Sequence, residues 1–596
     1  MKQALFQEYN KFLNYDQKRL DSLKKRTRQL AFLRLSAFLA VILALIYLPR
    51  VSLWLAWSVA GISTFLFFYW IKRFQKKEKE KVLFSNLIEI NKKELVALDE
   101  QYSQFENGQE FTDPHHHFTF DLDIFGPGSI FQFINRSVTQ LGKKRLANYL
   151  SQPETDIPSI RKRQEALLEL EKYTRWCQFF AAKGHTKDEQ DLLFMKKITE
   201  QVEIKSAAFL AKLLLVLPLI SLISFGLCQF LDLPWALFVG SLLVNGSVLY
   251  ANKKTISAFY TLFGSQTKLL SGYYELLILV EEKEFQAPLL TELKSHLLTG
   301  HENASESVHQ LQKRMAEFDY RQNLLVGFAL NALLLWDLRC SLRLFSWQKK
   351  HAESIHQWFE VLAEFDALSS LANLNHNHPE WTLPKLEDGD FHLTANNLKH
   401  PLIKEAKNIG NDFRMNGHGQ IAIITGANMA GKSTFLRTIG VNMILAMNGC
   451  RANASWLSLK PIQLFTNMRT TDNLQNDESY FFAELQRLKA ILDEIKAGTP
   501  VFVIIDEMLK GTNSEDKLSG SIKVIEQLIA LKTVGLVATH DLKLTELANR
   551  YPQNITNKCF EIELTDEELL FDYQLTDGVT STMNANFLMR KMGIIS

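Results

Sequence analysis

Residues Gly426-Ala427-Asn428-Met429-Ala430-Gly431-Lys432-Ser433-Thr434 fit the phosphate-loop pattern G-x-x-x-x-G-K-[ST]. The pattern has a physical basis. Gly426 and Gly431 let backbone N–H groups close around a phosphate, and a helix starting just after them turns its positive dipole end toward the anion. Lys432 would reach the β- and γ-phosphates, and the Ser433 hydroxyl would ligate Mg²⁺. Further along stand the adjacent carboxylates Asp506 and Glu507, then His540. In such a site the first acid holds Mg²⁺, usually through water, and the second polarises the attacking water. A histidine beside them can sense or stabilise the γ-phosphate. The bland alternatives are a chance glycine turn and a surface-loop histidine. Both lose ground because the three features occur in order along one chain.

The elements needed to position these residues are legible too. Residues 421–425 are an apolar run expected to form a buried parallel strand. Residues 435–446 have helical periodicity. Residues 501–505 and 533–538 read as two more buried strands, each ending at its chemistry-bearing residues. Ligands in α/β folds bind at the carboxyl ends of such strands.

Taken together, the stretch resembles the ATPase domain of the MutS family of DNA mismatch repair proteins. Thr425 to Thr434 keep the family's loop, including its unusual Asn428-Met429, with Ala427 and Ala430 as small-residue departures. Asp506-Glu507-Met508-Leu509-Lys510-Gly511-Thr512 follows its acidic strand and loop, and Ala538-Thr539-His540 its switch. Ser479 to Glu484 follows the element whose serine, in the family, contacts the partner subunit's nucleotide; the family's preceding glycine is replaced here by Asp477-Glu478. Upstream, residues 124–150, 157–170 and 358–372 resemble the family's helical core, and His400-Pro401-Leu402 and Asn411-Asp412 match short elements before the loop. The likeness covers roughly residues 112–200 and 320–593. It implies ATP and Mg²⁺, a homodimer with composite ATP sites, and double-stranded or branched DNA as substrate. It names Gly426, Asn428, Met429, Gly431, Lys432, Ser433, Thr434 and Ser479 as nucleotide contacts, Ser433 and Asp506 as metal ligands, and Glu507 and His540 as catalytic. The family's Phe-x-Glu wedge, which stacks on a mispaired base, has no expected counterpart in residues 1–111, and no nuclease domain is expected after the ATPase.

The 596 residues carry 67 Lys and Arg against 65 Asp and Glu, a net charge of +2, so no global field steers the chain to DNA. Five scattered cysteines without a Cys-x-x-Cys argue against a disulfide framework or a zinc site. Hydropathy adds another feature. Residues 30–49, 51–71, 213–231 and 233–251 are apolar runs, the first interrupted by Arg34, each near the ~20 residues a bilayer-spanning helix needs. Pro49-Arg50 and Asp232-Leu233-Pro234 turn them into two hairpins. Lys24, Lys25, Arg26 and Arg28, Lys72, Arg73, Lys76 and Lys77, Lys212, and Lys253-Lys254 flank their open ends. The positive-inside rule makes that side cytoplasmic. The alternative is a pair of buried core hairpins. The shorter apolar stretch 324–336 is expected to be a buried helix.

The expected fold is an α/β P-loop (ABC-type) ATPase domain at the C-terminus, preceded by an all-α MutS-like core and lever domain with two transmembrane hairpins. The expected boundaries are an amphipathic helix at 1–29, the first hairpin at 30–72, a helical connector at 73–111, core at 112–205, the second hairpin at 206–252, core and lever at 253–384, and the ATPase at 385–596. The protein is expected at the inner, cytoplasmic membrane, multi-pass, with soluble domains and both termini in the cytosol. Lys143-Lys144-Arg145 and Arg161-Lys162-Arg163 are candidate phosphate contacts, against a reading as solvated helix faces. His115-His116-His117 is a weak metal candidate. A transporter-type ATPase would carry its signature before the Asp506-Glu507 strand, whereas Leu518-Ser519-Gly520 lies after it. A nucleotide-locked scaffold is the third reading, and intact Lys432, Asp506 and Glu507 weigh against it.

Overall fold

The computed structural model describes residues 1–184, 204, 206–263, 267–299, 302–427, 430–469, 480–564 and 569–580. They are mostly helical, with mixed sheets, and divide into two compact units: 1–136 with 146–174 and 368–596, and 137–145 with 175–367.

The first unit opens with two helices, α1 (Lys2–Tyr47) and α2 (Leu53–Leu98), joined by a 3₁₀ turn over Leu48–Arg50. α1 runs unbroken across residue 29. At 46 residues each would be about 70 Å long. Their seam near the turn uses Ala44, Ala56 and Ala60, small side chains that let two helix backbones approach. The outward residues there, among them Phe32, Leu35, Trp54 and Phe65, are exposed. Away from the turn apolar side chains such as Leu5, Leu23, Leu87 and Leu98 are joined by polar contacts. Tyr9 Oη donates to Asn377 at 2.8 Å, Asn377 Nδ2 donates to buried Glu94 at 3.0 Å, and Arg136 Nε meets Glu94 at 2.5 Å. A polar chain through Asn377 thereby links α1 to α2 in addition to the apolar packing.

In the second unit, α3 (Ala207–Phe230) and α4 (Ala236–Ala251) form another apolar hairpin. α4, at 16 residues, is shorter than the run that encodes it, because Leu233 and Pro234 lie outside the helix. α5 (Leu324–Leu334) follows, then α6 (Trp336–Asn377), with a 79° bend between them. Among the described residues, α1, α2 and α3 are long and apolar enough to cross a membrane, and α5 with α6 passes as a bent pair. The expectation of a buried helix at 324–336 is corrected: Leu325 is 81% and Phe328 76% exposed.

Most of the cations in the two basic triplets turn inward. Arg161 donates to the Leu386 carbonyl at 3.0 Å, and Arg163 lies 4.1 Å over the Tyr149 ring and donates to Asn448. Arg145 pairs with Glu360 and Glu364, and Lys143 is buried. Lys144 and Lys162, in contrast, are exposed, as a solvated helix face would have them.

The rest of the first unit holds two sheets. The smaller carries β1 (His392–Leu398), β2 (Asn411–Asn416) and β4 (Trp456–Leu459). The larger is six-stranded. It contains β3 (Ile421–Gly426), β5 (Gln463–Asn467), β6 (Val501–Asp506), β7 (Val534–Ala538), β8 (Ile555–Leu564) and β9 (Leu569–Asp577), in the order β9-β8-β3-β7-β6-β5. All neighbours are parallel except β9, which pairs antiparallel with β8. α7 (Lys432–Met447), α8 (Tyr480–Lys496) and α9 (Ser514–Ala530) accompany it. β3, β6 and β7 are buried almost throughout, which is why they read as continuous apolar runs rather than alternating ones.

Candidate nucleotide site

Strand register brings the chemistry together. Ala538 pairs with Ile424 on one side and with Asp506 on the other, so β3, β7 and β6 end level at one sheet edge. Gly426, Asp506-Glu507 and Thr539-His540 leave the sheet there. Thr539 N–H donates to the Ile424 carbonyl and Glu507 N–H to the Ala538 carbonyl, each at 3.0 Å, stitching the three exits to one another.

Gly426 has φ +149°, and a Cβ on it would stand 2.9 Å from the Phe560 carbonyl oxygen. Gly431, at φ +105°, is the N-cap of α7. Both positions need glycine, for a close approach and for a left-handed turn. Lys432 is buried, and its Nζ donates to the carbonyls of Gly426 at 2.8 Å and Ala427 at 3.0 Å. Burial lowers its pKa, with Asp506 and Glu507 pulling it back up. The ammonium thus rests on two of the loop's own carbonyls. Asn428, Met429 and Ser479 lie outside the described residues.

The Ser433 hydroxyl donates to Asp506 Oδ2. An alcohol and a carboxylate oxygen in mutual contact are a donor set that suits Mg²⁺, a hard cation that takes oxygen ligands and keeps several waters. Ser433 and Asp506 could hold such an ion between them. Thr434 follows in the first turn of α7.

Glu507 sits at φ +58°, a left-handed conformation uncommon for a residue with a side chain. Its Oε1 is 2.7 Å from His540 Nε2. That hydrogen bond, ahead of the opposing effect of burial, takes the Glu507 carboxyl down to about 2. The same Nε2 lies 3.4 Å from Lys432 Nζ. One nitrogen cannot both donate to Glu507 and accept from Lys432. The shorter contact assigns the proton to Nε2, leaving Lys432 held by its two carbonyls.

Two groups that shape this edge had no role in the sequence reading: Glu484, named there only as the end of the element that starts at Ser479, and Asp121, which was not singled out. Glu484, on α8, is almost wholly buried and accepts from the backbone N–H of Leu509 at 2.5 Å and Lys510 at 3.0 Å. It pins the loop that follows Glu507, in which Leu509 is also left-handed at φ +58°. Its signal was a lone acid on an otherwise apolar first helical turn. Asp121, fully buried, accepts from Thr466 Oγ1 at 2.6 Å and Met468 N–H at 3.0 Å, and pairs with Arg487 at 2.8 Å. It clips residues 118–123 to the end of β5, and no local pattern announces it. Next to it, His116 Nδ1 accepts from the N–H groups of Phe118 and Thr119, each at 3.3 Å, and burial takes its pKa down to about 4. Its role in the fold is that of a turn-forming acceptor.

A family model for MutS domain V matches residues 422–587, the span holding Gly426, Lys432, Ser433, Asp506, Glu507 and His540, and one for MutS domain III matches residues 118–372, which holds Asp121. The chain belongs to the MutS family. Its relatives include a DNA mismatch repair protein MutS of Thermotoga maritima, 31% identical over 39% of this chain and 29% of that protein. DNA mismatch repair protein MSH4 of Arabidopsis thaliana is 30% identical over 39% of this chain and 30% of its own length. MutS protein homolog 4 of Homo sapiens is 29% identical over 39% and 25%. The matched segments span less than a third of these relatives. In this MutS family member the domain III match encloses α3, α4 and α5.

Proposed function

We propose that this protein is a membrane-anchored MutS-family ATPase that uses ATP binding and hydrolysis to control its grip on DNA, in mismatch repair or a related DNA-structure-processing role. The observation that carries the ATPase is the convergence of Lys432, Ser433, Asp506, Glu507 and His540 on one sheet edge. Lys432 leaves the Gly426 and Ala427 carbonyls for the β- and γ-phosphates, and the loop N–H groups and the start of α7 bind the same anion. Mg²⁺, when bound, offsets phosphate charge. Glu507, kept ionised by His540, orients and polarises the attacking water, and His540 stands where it can sense the γ-phosphate.

MutS family members bind DNA and work as dimers, and we propose a homodimer with composite ATP sites here. The four apolar helices α1 to α4 anchor it in the cytoplasmic membrane, with both termini in the cytosol. Their exposed apolar surface and basic flanks support that reading. DNA binding is proposed to be backbone- or structure-directed. The test is binding of the detergent-solubilised full chain to matched, mismatched and branched duplexes, with and without ATP, across a salt series. ATP-dependent binding that falls with salt and differs less than about tenfold between matched and mismatched DNA, which is 1.4 kcal/mol, is expected. ATP hydrolysis without retention of any duplex would overturn the DNA role and leave the ATPase standing.

A further inference from the structure

Within the second unit, α5 has the composition of a membrane span and the wrong length for one. It carries no charge, and its 11 residues would cover about 16 Å against a hydrocarbon core of about 30 Å. Its flanks show that it does not cross. Arg321 just before it and Asp337 just after it are paired at 3.5 Å. The rings of Tyr320 and Trp336 are stacked at 6.4 Å, and Trp336 Nε1 donates to the Glu317 carbonyl at 2.9 Å. Chain entering and chain leaving the segment therefore meet at one level, closed by Leu335 in the left-handed region at φ +49°.

α5 is tied to the hairpin beside it. Asn245 of α4 is fully buried, and its Nδ2 donates to the Ala332 carbonyl of α5 at 2.7 Å and to Ser221 of α3 at 3.1 Å. Arg339, at the start of α6, donates to the Leu214 carbonyl of α3 at 3.1 Å. Leu214 and Asn245 both lie toward the ends of α3 and α4 that carry Lys212 and Lys253-Lys254. Asn245 is about 12 Å of helix from those lysines. That depth is close to that of helices lying in the headgroup–acyl boundary, and Tyr, Trp and Arg at its rim are the usual residues of a membrane interface. Arg321 here lies 4.6 Å over the Tyr260 ring.

We propose that α5 is a monotopic wedge seated in the cytoplasmic leaflet against α3 and α4, with lipid acyl chains as its partner. The exposed residues Leu324, Leu325, Val326, Phe328 and Leu333 point in several directions around the helix, with no polar side chain among them. A protein partner would cover one stripe and leave a polar edge. The neighbouring α3 and α4 expose apolar side chains as well, among them Phe225, Leu243 and Val244.

The inference rests on the membrane reading of α3 and α4, and one experiment separates the two. The full chain is reconstituted in lipid nanodiscs with a nitroxide label at Phe328→Cys, at Leu325→Cys in a second sample, and at Leu222→Cys on α3 as the reference. The unlabelled-site protein supplies the background of its native cysteines. The wedge predicts high accessibility to oxygen and low accessibility to a water-soluble nickel chelate at all three positions. Nickel access at 325 and 328 with lipid-like values at 222 overturns the wedge alone. Protection from both reagents at 325 and 328 also overturns it, since a protein surface would then cover the helix. Nickel access at all three overturns the membrane reading itself.

Discussion

Residues 501–505 and 324–334 are both uncharged apolar runs, yet every residue of the first is buried and most of the second are exposed. The difference comes from what flanks them. The 501–505 run becomes β6, hydrogen-bonded on both sides by β5 and β7 and backed by an apolar layer including Leu488, Ile491 and Ile525. Its backbone is satisfied only inside the sheet, and its last residue delivers Asp506 to the site. The 324–334 run satisfies its own backbone as a helix and needs no neighbours for that. Its side chains remain free to face another apolar phase. An apolar run states that water is avoided; the pattern of hydrogen bonding decides what replaces the water.

The comparison can be broken at its functional end first. Glu507→Gln should bind ATP and slow its hydrolysis by roughly 10²–10⁴-fold, the usual worth of a positioned proton acceptor. Single-turnover hydrolysis by the purified variant measures this, and an unchanged rate would reassign the catalytic role.

A matched pair of truncations sharpens the contrast in burial. Ile504→Ala, at a fully buried position, should destabilise by about 2–5 kcal/mol. Leu325→Ala, at an exposed one, should change stability by less than about 0.5 kcal/mol. Denaturant unfolding of both full-length variants in detergent provides the comparison. Equal losses would mean that α5 is packed against protein.

The smallest effect is a pH dependence. The Glu507 carboxyl is held down at about 2 by His540, against an ordinary value of 4.5. A depressed carboxyl contributes stability in full above about pH 4.5 and loses it as pH falls toward 2. The stability gap between the wild type and His540→Asn should therefore shrink as pH falls from about 4.5 toward 2. A gap that widens in acid would show that Glu507 is not the partner.

Much of the site was legible because its parts are local. A phosphate loop is one strand, one turn and one helix start, all within residues 421–447. The strand-end acids and His540 follow continuous apolar runs that only a buried parallel sheet explains. Glu484 was visible as the end of a motif, but its hold on the Leu509 and Lys510 N–H groups was not, and Asp121 was not visible at all, since each acts on backbone far from it in sequence. The burial of α5 was misjudged because length was used to separate core from membrane, and an 11-residue apolar helix fits either. The internal pairing of the triplet arginines was out of reach for the opposite reason. Their charge is local, but the partners that absorb it, Leu386, Asn448, Glu360 and Glu364, are more than 200 residues away in sequence.

The central claim is that the sheet edge around Lys432 is an ATP-hydrolysing site. Steady-state Mg²⁺-dependent ATP hydrolysis by the full chain, wild type against Lys432→Ala, tests it most directly. The account predicts turnover in the wild type and its loss in the variant, together with weakened nucleotide binding, because the only lysine lodged in the loop would be gone. Equal turnover in the two proteins would place the activity elsewhere and contradict the account.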